Sequence, residues 1–292
     1  VNESDLWRSL KHMTKKTLQT LPQDIYGLFD PDVPHIVDED NLEEFCNNLK
    51  HSLRDALAPS YGGEGTLRMS QVGKPDRKVW MEYHGTEQAK MSGDTYLKFL
   101  YGHLIEELVL FLSKEAGHEV RGEQDVMHLS GIKGHRDAVV DGVLCDVKSA
   151  STYAYNSKFT TGNVVDDHSF GYPTQLSAYV EASDDCDPSK AAWIAFDKQH
   201  GRICVTQVDK ALLPNASERM EEIKEVVKGP LPEPCYEPVP DGMSGNMKLQ
   251  VGCGYCNFRK TCWPQARTFI YSNGPRYLTT VAKLPKVPES HE

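Results

Sequence analysis

The stretch Gly134-His135-Arg136-Asp137-Ala138-Val139-Val140-Asp141-Gly142-Val143-Leu144-Cys145-Asp146-Val147-Lys148 constrains this chain more than any other. Two apolar runs flank Asp141-Gly142, and an Asp-Gly loop between such runs signals a β-hairpin with a type I′ turn, in which both central residues take positive φ. Counting outward from the turn, Val140 pairs with Val143, Val139 with Leu144 and Ala138 with Cys145, so Asp137 falls opposite Asp146. Directly opposed side chains have Cβ atoms about 5 Å apart, where like charges repel unless a cation lies between them. Residues two apart share a face, so His135, Asp137, Asp146 and Lys148 project together, and Ala138, Val140, Val143, Cys145 and Val147 form the face suited to a core. Oxygen ligands select Mg²⁺ or Mn²⁺, and an ammonium beside them can orient a water or offset charge on a phosphate. A surface hairpin with an exposed Asp–Lys pair is the plainer reading of the same residues.

With 292 residues the chain can hold one large α/β domain, or a domain with a small appendage. Its formal net charge of −10 excludes a generally basic nucleic-acid-coating protein, so any contact with a polyanion needs a local patch or a bound metal. No run reaches the length of a membrane span and the first residues lack a signal-peptide core, so the chain reads as intracellular.

Along the chain, Ser4 to Leu21 has helical spacing with a basic middle and is expected to stop at Pro22. A second helix is expected from Leu42 to Leu57. In Leu67 to Tyr83, Arg68, Lys74, Arg77 and Lys78 surround a helix start at Pro75, a candidate phosphate-positioning patch. The strongest helical pattern runs from Asp94, as N-cap, to Ala116, with Gly117 as the left-handed stop. Leu97, Leu100, Leu104, Leu108 and Leu112 are its expected core stripe. Glu106 leans over Gly102, which leaves room for a metal; a solvated helix charge is the bland alternative. Ser149 to Gly171 reads as a long loop whose aromatics, with Lys158, could stack bases and meet phosphates. Tyr172 to Ala182 starts a helix with Pro173 near its first position and sets Gln175 and Tyr179 on one face. Ala191–Asp197 and Arg202–Val208 read as an antiparallel pair, followed by a helix from Asn215 to Val227. The order helix, hairpin, helix, hairpin, helix is an α/β layer arrangement.

From Gly229 the chain is rich in proline and then in cysteine. Cys253-Gly-Tyr-Cys256, with Cys262 and with Cys235 as a fourth thiolate, has metal-ligand spacing suited to Zn²⁺ or to an iron–sulfur cluster. A segment this rich in Pro and Gly is expected to need that metal to stay in place.

Taken together these residues resemble the PD-(D/E)XK nuclease superfamily, and within it the RecB-like exonucleases, including CRISPR-adaptation and bacteriophage members. The likeness covers Leu67 to Pro264. Glu106, in Gly102-His-Leu-Ile-Glu-Glu, falls where that family carries a metal-binding residue on its first core helix. Asp137 matches the G-x-x-D aspartate, Asp146-Val147-Lys148 matches (D/E)-x-K, and Gln175 with Tyr179 matches the Q-x-x-x-Y helix. The resemblance implies a restriction-endonuclease-like α/β core, a central mixed sheet flanked by helices, over 67–228. A helical N-terminal region over 1–66 precedes it and a Cys-rich metal-binding tail over 229–292 follows. It implies catalytic roles for Glu106, Asp137, Asp146, Lys148, Gln175 and Tyr179, with Glu106, Asp137 and Asp146 holding Mg²⁺ or Mn²⁺.

The same resemblance implies DNA as substrate, DNA contacts by Arg68, Lys74, Arg77 and Lys158, and a cytoplasmic site of action, in the host cytoplasm if the protein is viral. A recombination or replication protein is the partner it suggests. Cys235, Cys253, Cys256 and Cys262 would hold a [4Fe–4S] cluster, with Zn²⁺ as the alternative. The family's first cluster cysteine usually lies near the segment that here reads Gly73-Lys74-Pro75-Asp76-Arg77, and this chain has none there, which turns attention to Cys235. The expected activity is that of a metal-dependent DNA exonuclease. The alternative from another class is a non-catalytic DNA-binding or scaffold protein with a structural metal tail.

Overall fold

The computed structural model describes residues 16–58, 65–90 and 92–290. In chain order the core is built from helices α1 (Leu21–Gly27), α2 (Glu39–Leu57), α3 (Asp76–Tyr83) and α4 (Gly93–Glu115). Strands β1 (Val120–Arg121), β2 (Val126–Leu129), β3 (Ile132–His135), β4 (Ala138–Val140) and β5 (Val143–Ala150) follow. Helix α5 (Tyr172–Ala182), strands β6 (Lys190–Asp197) and β7 (Arg202–Asp209), and helix α6 (Ala216–Lys228) complete it.

The Asp141-Gly142 turn forms as its residues require, with φ of +50° at Asp141 and +80° at Gly142, the left-handed pair of a type I′ turn. Asp141 also anchors the turn from outside. Its carboxylate accepts the Glu119 N–H at 3.1 Å and pairs with the buried His118 at 2.7 Å. β4 and β5 take the counted register, Ala138 to Cys145, Val139 to Leu144 and Val140 to Val143. β5 then pairs in parallel with β6, and β6 antiparallel with β7, giving a mixed sheet of order β1-β4-β5-β6-β7. The parallel step needs a long crossover, which residues 151–189 supply through α5.

Both faces of this sheet are buried. Ala138, Val140, Cys145 and Val147 pack with Leu21, Ile25, Val109 and Leu110 from α1 and α4. Val139, Leu144 and Trp193 pack on the other side with Leu176 and Val180 of α5 and Met220 and Ile223 of α6. The expectation of one core face and one open face is therefore corrected: a sheet with a parallel crossover is covered on both sides, and Asp146 lies among core residues at 3 % exposure. His135 leaves the group as well, because it belongs to the separate β2–β3 hairpin, opposite Val126, and is exposed.

Several boundaries differ for identifiable reasons. Residues 1–15 of the expected first helix lie outside the described residues; Pro22 opens α1 instead of ending a helix, since a proline loses no hydrogen bond in a first turn. Helix α2 ends at Leu57 as expected but begins three residues before the expected Leu42, because Asp38 caps it, its side chain accepting the N–H groups of Asp40 and Asn41. In α4 the N-cap is Ser92, and the buried positions are Glu107, Val109, Leu110 and Ser113. The expected stripe is offset, and Leu97 is 46 % exposed beside the exposed Tyr96, Phe99 and Tyr101. The expected long loop after β5 is largely coiled: Thr152–Ala154 and a π-helical turn over Tyr155–Phe159 bury Tyr155 and Phe159. Hydroxyls there donate four residues back, Ser157 to the Tyr153 carbonyl at 2.7 Å and Thr160 to the Asn156 carbonyl at 2.9 Å. Such back-bonding lets a polar segment wind without apolar periodicity.

The proline-rich tail also folds. Strands β8 (Val239–Pro240), β9 (Met247–Lys248), β10 (Arg267–Tyr271), β11 (Gly274–Thr280) and β12 (Glu289–Ser290) make an antiparallel sheet of order β12-β10-β11-β9-β8. Leu249, Phe258, Phe269 and Leu278 are buried in this region, so burial contributes to holding it, against the expectation that only a metal could.

One close approach fixes the segment before α3 against the start of α5. A Cβ on Gly73 would overlap the backbone of Gly171, and a Cβ on Gly171, whose φ is +75°, would overlap Gly73. Gly73→Ala is expected to cost roughly 2 kcal/mol or more in denaturant unfolding, whereas Gly162→Ala, at φ +76° but in open space, is expected to cost only about 1 kcal/mol. Equal costs would contradict the contact.

Candidate active site

Four of the expected side chains converge where the β4–β5 hairpin meets α4. Asp137 lies just before β4, and its carboxylate accepts the Val147 N–H at 2.7 Å. Asp146 and Lys148 alternate on β5, and the lysine Nζ lies 2.8 Å from an Asp146 oxygen. Glu106 comes from α4, whose Gly102 faces the Ser149 hydroxyl of β5; a Cβ there would stand 3.9 Å from Ser149 Oγ. A small residue at this position lets the helix lie near the strand.

The electrostatics tie these groups into one unit. Burial raises the pKa of Glu106, and the charges of Asp137, Glu107 and Asp146 raise it further. Asp137 is raised by burial and then by Asp146. Asp146 is raised by burial, with Lys148 opposing. Burial would lower the Lys148 pKa, but Asp146 and Asp137 outweigh it and hold the ammonium charged well above its ordinary range. Three carboxylates thus share one cation of the protein's own, an arrangement of hard oxygen donors that suits a divalent ion. It is a neighbourhood of charge and not a closed cage: among the described residues no group of three or more His, Cys, Asp or Glu is drawn together as a ready metal-binding cluster.

Gln175 and Tyr179 of α5 reach the same place. Burial pushes the Tyr179 phenol up to about 12, with further contributions from Asp137 and Asp146 and an opposing hydrogen bond from Gln175, so Tyr179 is a neutral donor at physiological pH. Two neighbours were not foreseen. Gln124 donates from its side chain to Glu106 and from its backbone to the Asp137 carbonyl at 3.3 Å, and it does so at a φ of +56°, a conformation that a non-glycine residue holds only when its surroundings impose it. Tyr172 lies under Lys148, with Nζ 4.9 Å from the ring centroid. Only the polar turn Gly122-Glu123-Gln124-Asp125 hinted at the first, and nothing in helical spacing marked the second.

Three of the four basic side chains expected on DNA have partners inside the chain, and for Arg68 it is the backbone that is bonded. Lys74 pairs with Glu82 at 2.9 Å, Lys158 pairs with Asp167, and Arg77 donates to the Pro232 carbonyl and to Cys262 Sγ. The Arg68 N–H is accepted by Gln71 Oε1 at 2.8 Å. Lys74 still borders a cavity of about 630 Å³, which Cys235, Cys253, Cys256 and Cys262 also line. Burial raises the Cys253 thiol to about 11, with Cys235, Cys256 and Cys262 adding to the shift. Cys235 is raised by burial and by Cys256 and Cys262, against a hydrogen bond from the Lys78 backbone. Cys235 and Cys253 thus each lie near the other thiols, and the four line one cavity as soft donors of the kind a thiolate metal centre uses, without being drawn into a closed cluster among the described residues.

No family model matches the chain, and no curated protein does. Among solved structures, SSO0001 aligns at 16 % identity and a TM-score of 0.41 over 76 % of this chain and 96 % of its own. LHK-Exo in complex with dAMP aligns at 14 % and 0.37, over 56 % of this chain and 90 % of its own. A phage related exonuclease from Haemophilus somnus 129PT aligns at 18 % and 0.38, over 57 % and 92 %. Independently of these likenesses, the motif residues from α4, β4–β5 and α5 meet at one mixed sheet flanked by helices, the architecture expected from the sequence resemblance.

A carboxylic acid whose folded pKa exceeds its unfolded one keeps a proton that the unfolded chain has lost, so stability falls as pH rises through that window. In EDTA at pH 9, Glu106→Gln is expected to be more stable than the parent by about 1 kcal/mol, and the gap is expected to close on acidification to pH 5. Thermal melts across that range check it; a gap that widens on acidification contradicts the coupling.

Proposed function

We propose that this protein is a divalent-metal-dependent deoxyribonuclease that hydrolyses phosphodiester bonds at DNA ends. The observation that carries the reading is the convergence of Glu106, Asp137 and Asp146 on Lys148, at a place where burial raises the pKa of each carboxylic acid and Lys148 opposes the shift. Glu106, Asp137 and Asp146 would hold Mg²⁺ or Mn²⁺, which when bound supplies Lewis-acid stabilisation of the scissile phosphate and a more acidic water. Lys148 stays protonated beside Asp146, so it acts as a donor that orients the attacking water or a phosphate oxygen and not as a general base. Tyr179 and Gln175 offer neutral donors to the DNA backbone next to the carboxylates. Asp137 is held by the Val147 N–H and Glu106 by the Gln124 amide, each through one carboxylate oxygen, which leaves the other oxygen for a ligand. Among the described residues no helix is long and apolar enough to cross a membrane.

The same reading assigns Cys235, Cys253, Cys256 and Cys262 to one structural metal centre, a [4Fe–4S] cluster or Zn²⁺. Arg77 at Cys262 and the Lys78 N–H at Cys235 would join it to the start of α3, and the buried Phe258 lies within the same segment.

End-labelled DNA provides the direct test. Release of nucleotides is expected with Mg²⁺ or Mn²⁺, to be weak with Ca²⁺ and absent in EDTA, and Asp146→Asn is expected to abolish it by a thousandfold or so while the protein stays folded. Equal cleavage in Ca²⁺ and Mg²⁺, or full activity in Asp146→Asn, would sink the mechanism; DNA binding without any cleavage would favour the scaffold alternative. For the thiol centre, elemental analysis and a visible spectrum of anaerobically purified protein should find iron or zinc near stoichiometry, lost in Cys235→Ser and Cys256→Ser. Full metal retention in Cys235→Ser would remove that residue from the ligand set.

A further inference from the structure

A file of aromatic rings leads away from Lys148. Below its Nζ lies Tyr172 at 4.9 Å; the Phe170 ring stacks on Tyr172 with centroids 5.7 Å apart and planes 22° apart. Tyr255 continues the line at 6.3 Å from Phe170, tilted by 51°. The left-handed Gly171, φ +75°, sits between the first two and permits the tight turn that stacks residues two apart. Lys158 Nζ lies 5.6 Å from the Phe170 centroid. The inner ring is partly covered, whereas Phe170 is 43 % exposed and Tyr255 77 % exposed. Both open onto the cavity of about 630 Å³ described above, on whose lining Lys78 and Lys98 also stand.

Exposed aromatic faces of this size are a standing cost in water unless a flat apolar partner covers them. A nucleobase is such a partner, and the phosphates beside it would meet Lys78 directly and Lys98 and Lys158 in competition with Asp94 and Asp167. In duplex DNA every base face except the outer face of each terminal pair is occupied by a neighbour in the stack, so only an unpaired strand can offer successive bases to a file of rings. The rings come from two different parts of the chain, Phe170 and Tyr172 from the approach to α5 and Tyr255 from the cysteine segment between Cys253 and Cys256, so the thiol segment forms one side of the track.

We propose that Tyr172, Phe170 and Tyr255 form a stacking track for the unpaired bases that flank the scissile phosphate, and that the substrate of this site is accordingly single-stranded DNA. The proposal rests on the nuclease reading for the phosphate at Lys148, but the track itself is a binding surface that can be measured without cleavage.

The experiment uses the full chain carrying Asp146→Asn, in EDTA, with fluorescence anisotropy of a short labelled oligothymidylate and of a blunt duplex of equal length. The single strand is expected to bind at least about tenfold more tightly than the duplex, and Phe170→Leu and Tyr255→Ser are each expected to weaken it by about tenfold. Phe170→Trp is expected to keep the affinity, since it preserves a flat face that leucine lacks. A strand made abasic at its end should bind more weakly to the parent and unchanged to Tyr255→Ser. Equal affinity for duplex and single strand, no loss in Phe170→Leu and Tyr255→Ser, or Phe170→Trp as weak as Phe170→Leu overturns the track; Tyr255, largely exposed, can be changed without disturbing the core. The two readings fail separately. Ring-dependent strand binding by a protein that releases no nucleotide in Mg²⁺ keeps the track and removes the nuclease; ring-independent digestion of both DNA forms does the reverse.

Discussion

The repulsion among Glu106, Asp137 and Asp146 is the interaction on which the rest of this molecule depends. Asp146 is buried and Glu106 and Asp137 are half-buried beside one ammonium, and the raised carboxyl pKa values mean that without a bound cation protons take up part of this crowded charge. The Asp141-Gly142 turn sets the register that brings Asp137 to the start of β4 and Asp146 to β5. Helix α4 brings Glu106 across, and Gln124, held at positive φ, fixes Glu106 and the Asp137 backbone together. Backbone strain and crowded like charge coincide at this one place, which is what makes it the candidate site for chemistry.

Much of this site was legible in the sequence because it is local. A hairpin register follows from counting once the turn is recognised, and the spacing of Asp146 and Lys148 on one strand is a property of any strand. Gln175 and Tyr179, one helical turn apart, were legible for the same reason. What could not be read was set by contacts distant in sequence. Sheet covering on both faces buried Asp146, which alternation alone had placed on an open face. Lys74, Arg77 and Lys158 were read as free cations, and each has a partner eight or more residues away that no local pattern reveals. The leucine stripe of α4 was displaced because burial is decided by what the helix lies against, and among the described residues its first half is largely exposed.

The cysteine segment shows the same division. The spacing of Cys253, Cys256 and Cys262 is local and identified a soft donor set, and the structure brings Cys235 to the same cavity. The antiparallel sheet that follows was invisible to the sequence reading because its strands are short, interrupted by glycine and proline, and closed by pairing between residues far apart, such as Phe269 with Glu289. Its buried Phe269 and Leu278 mean that packing contributes to holding this region whether or not the thiols take a metal, and Tyr255 connects it to the aromatic rings beside Lys148.

Calorimetric titration of the full chain with Mn²⁺ tests most directly whether the carboxylate cluster is a cation site. Saturable binding is expected at pH 8, weaker at pH 6 where protons compete for the raised carboxylates, and lost in Asp146→Asn. Absence of saturable binding at pH 8, or binding unchanged by Asp146→Asn, would contradict the account.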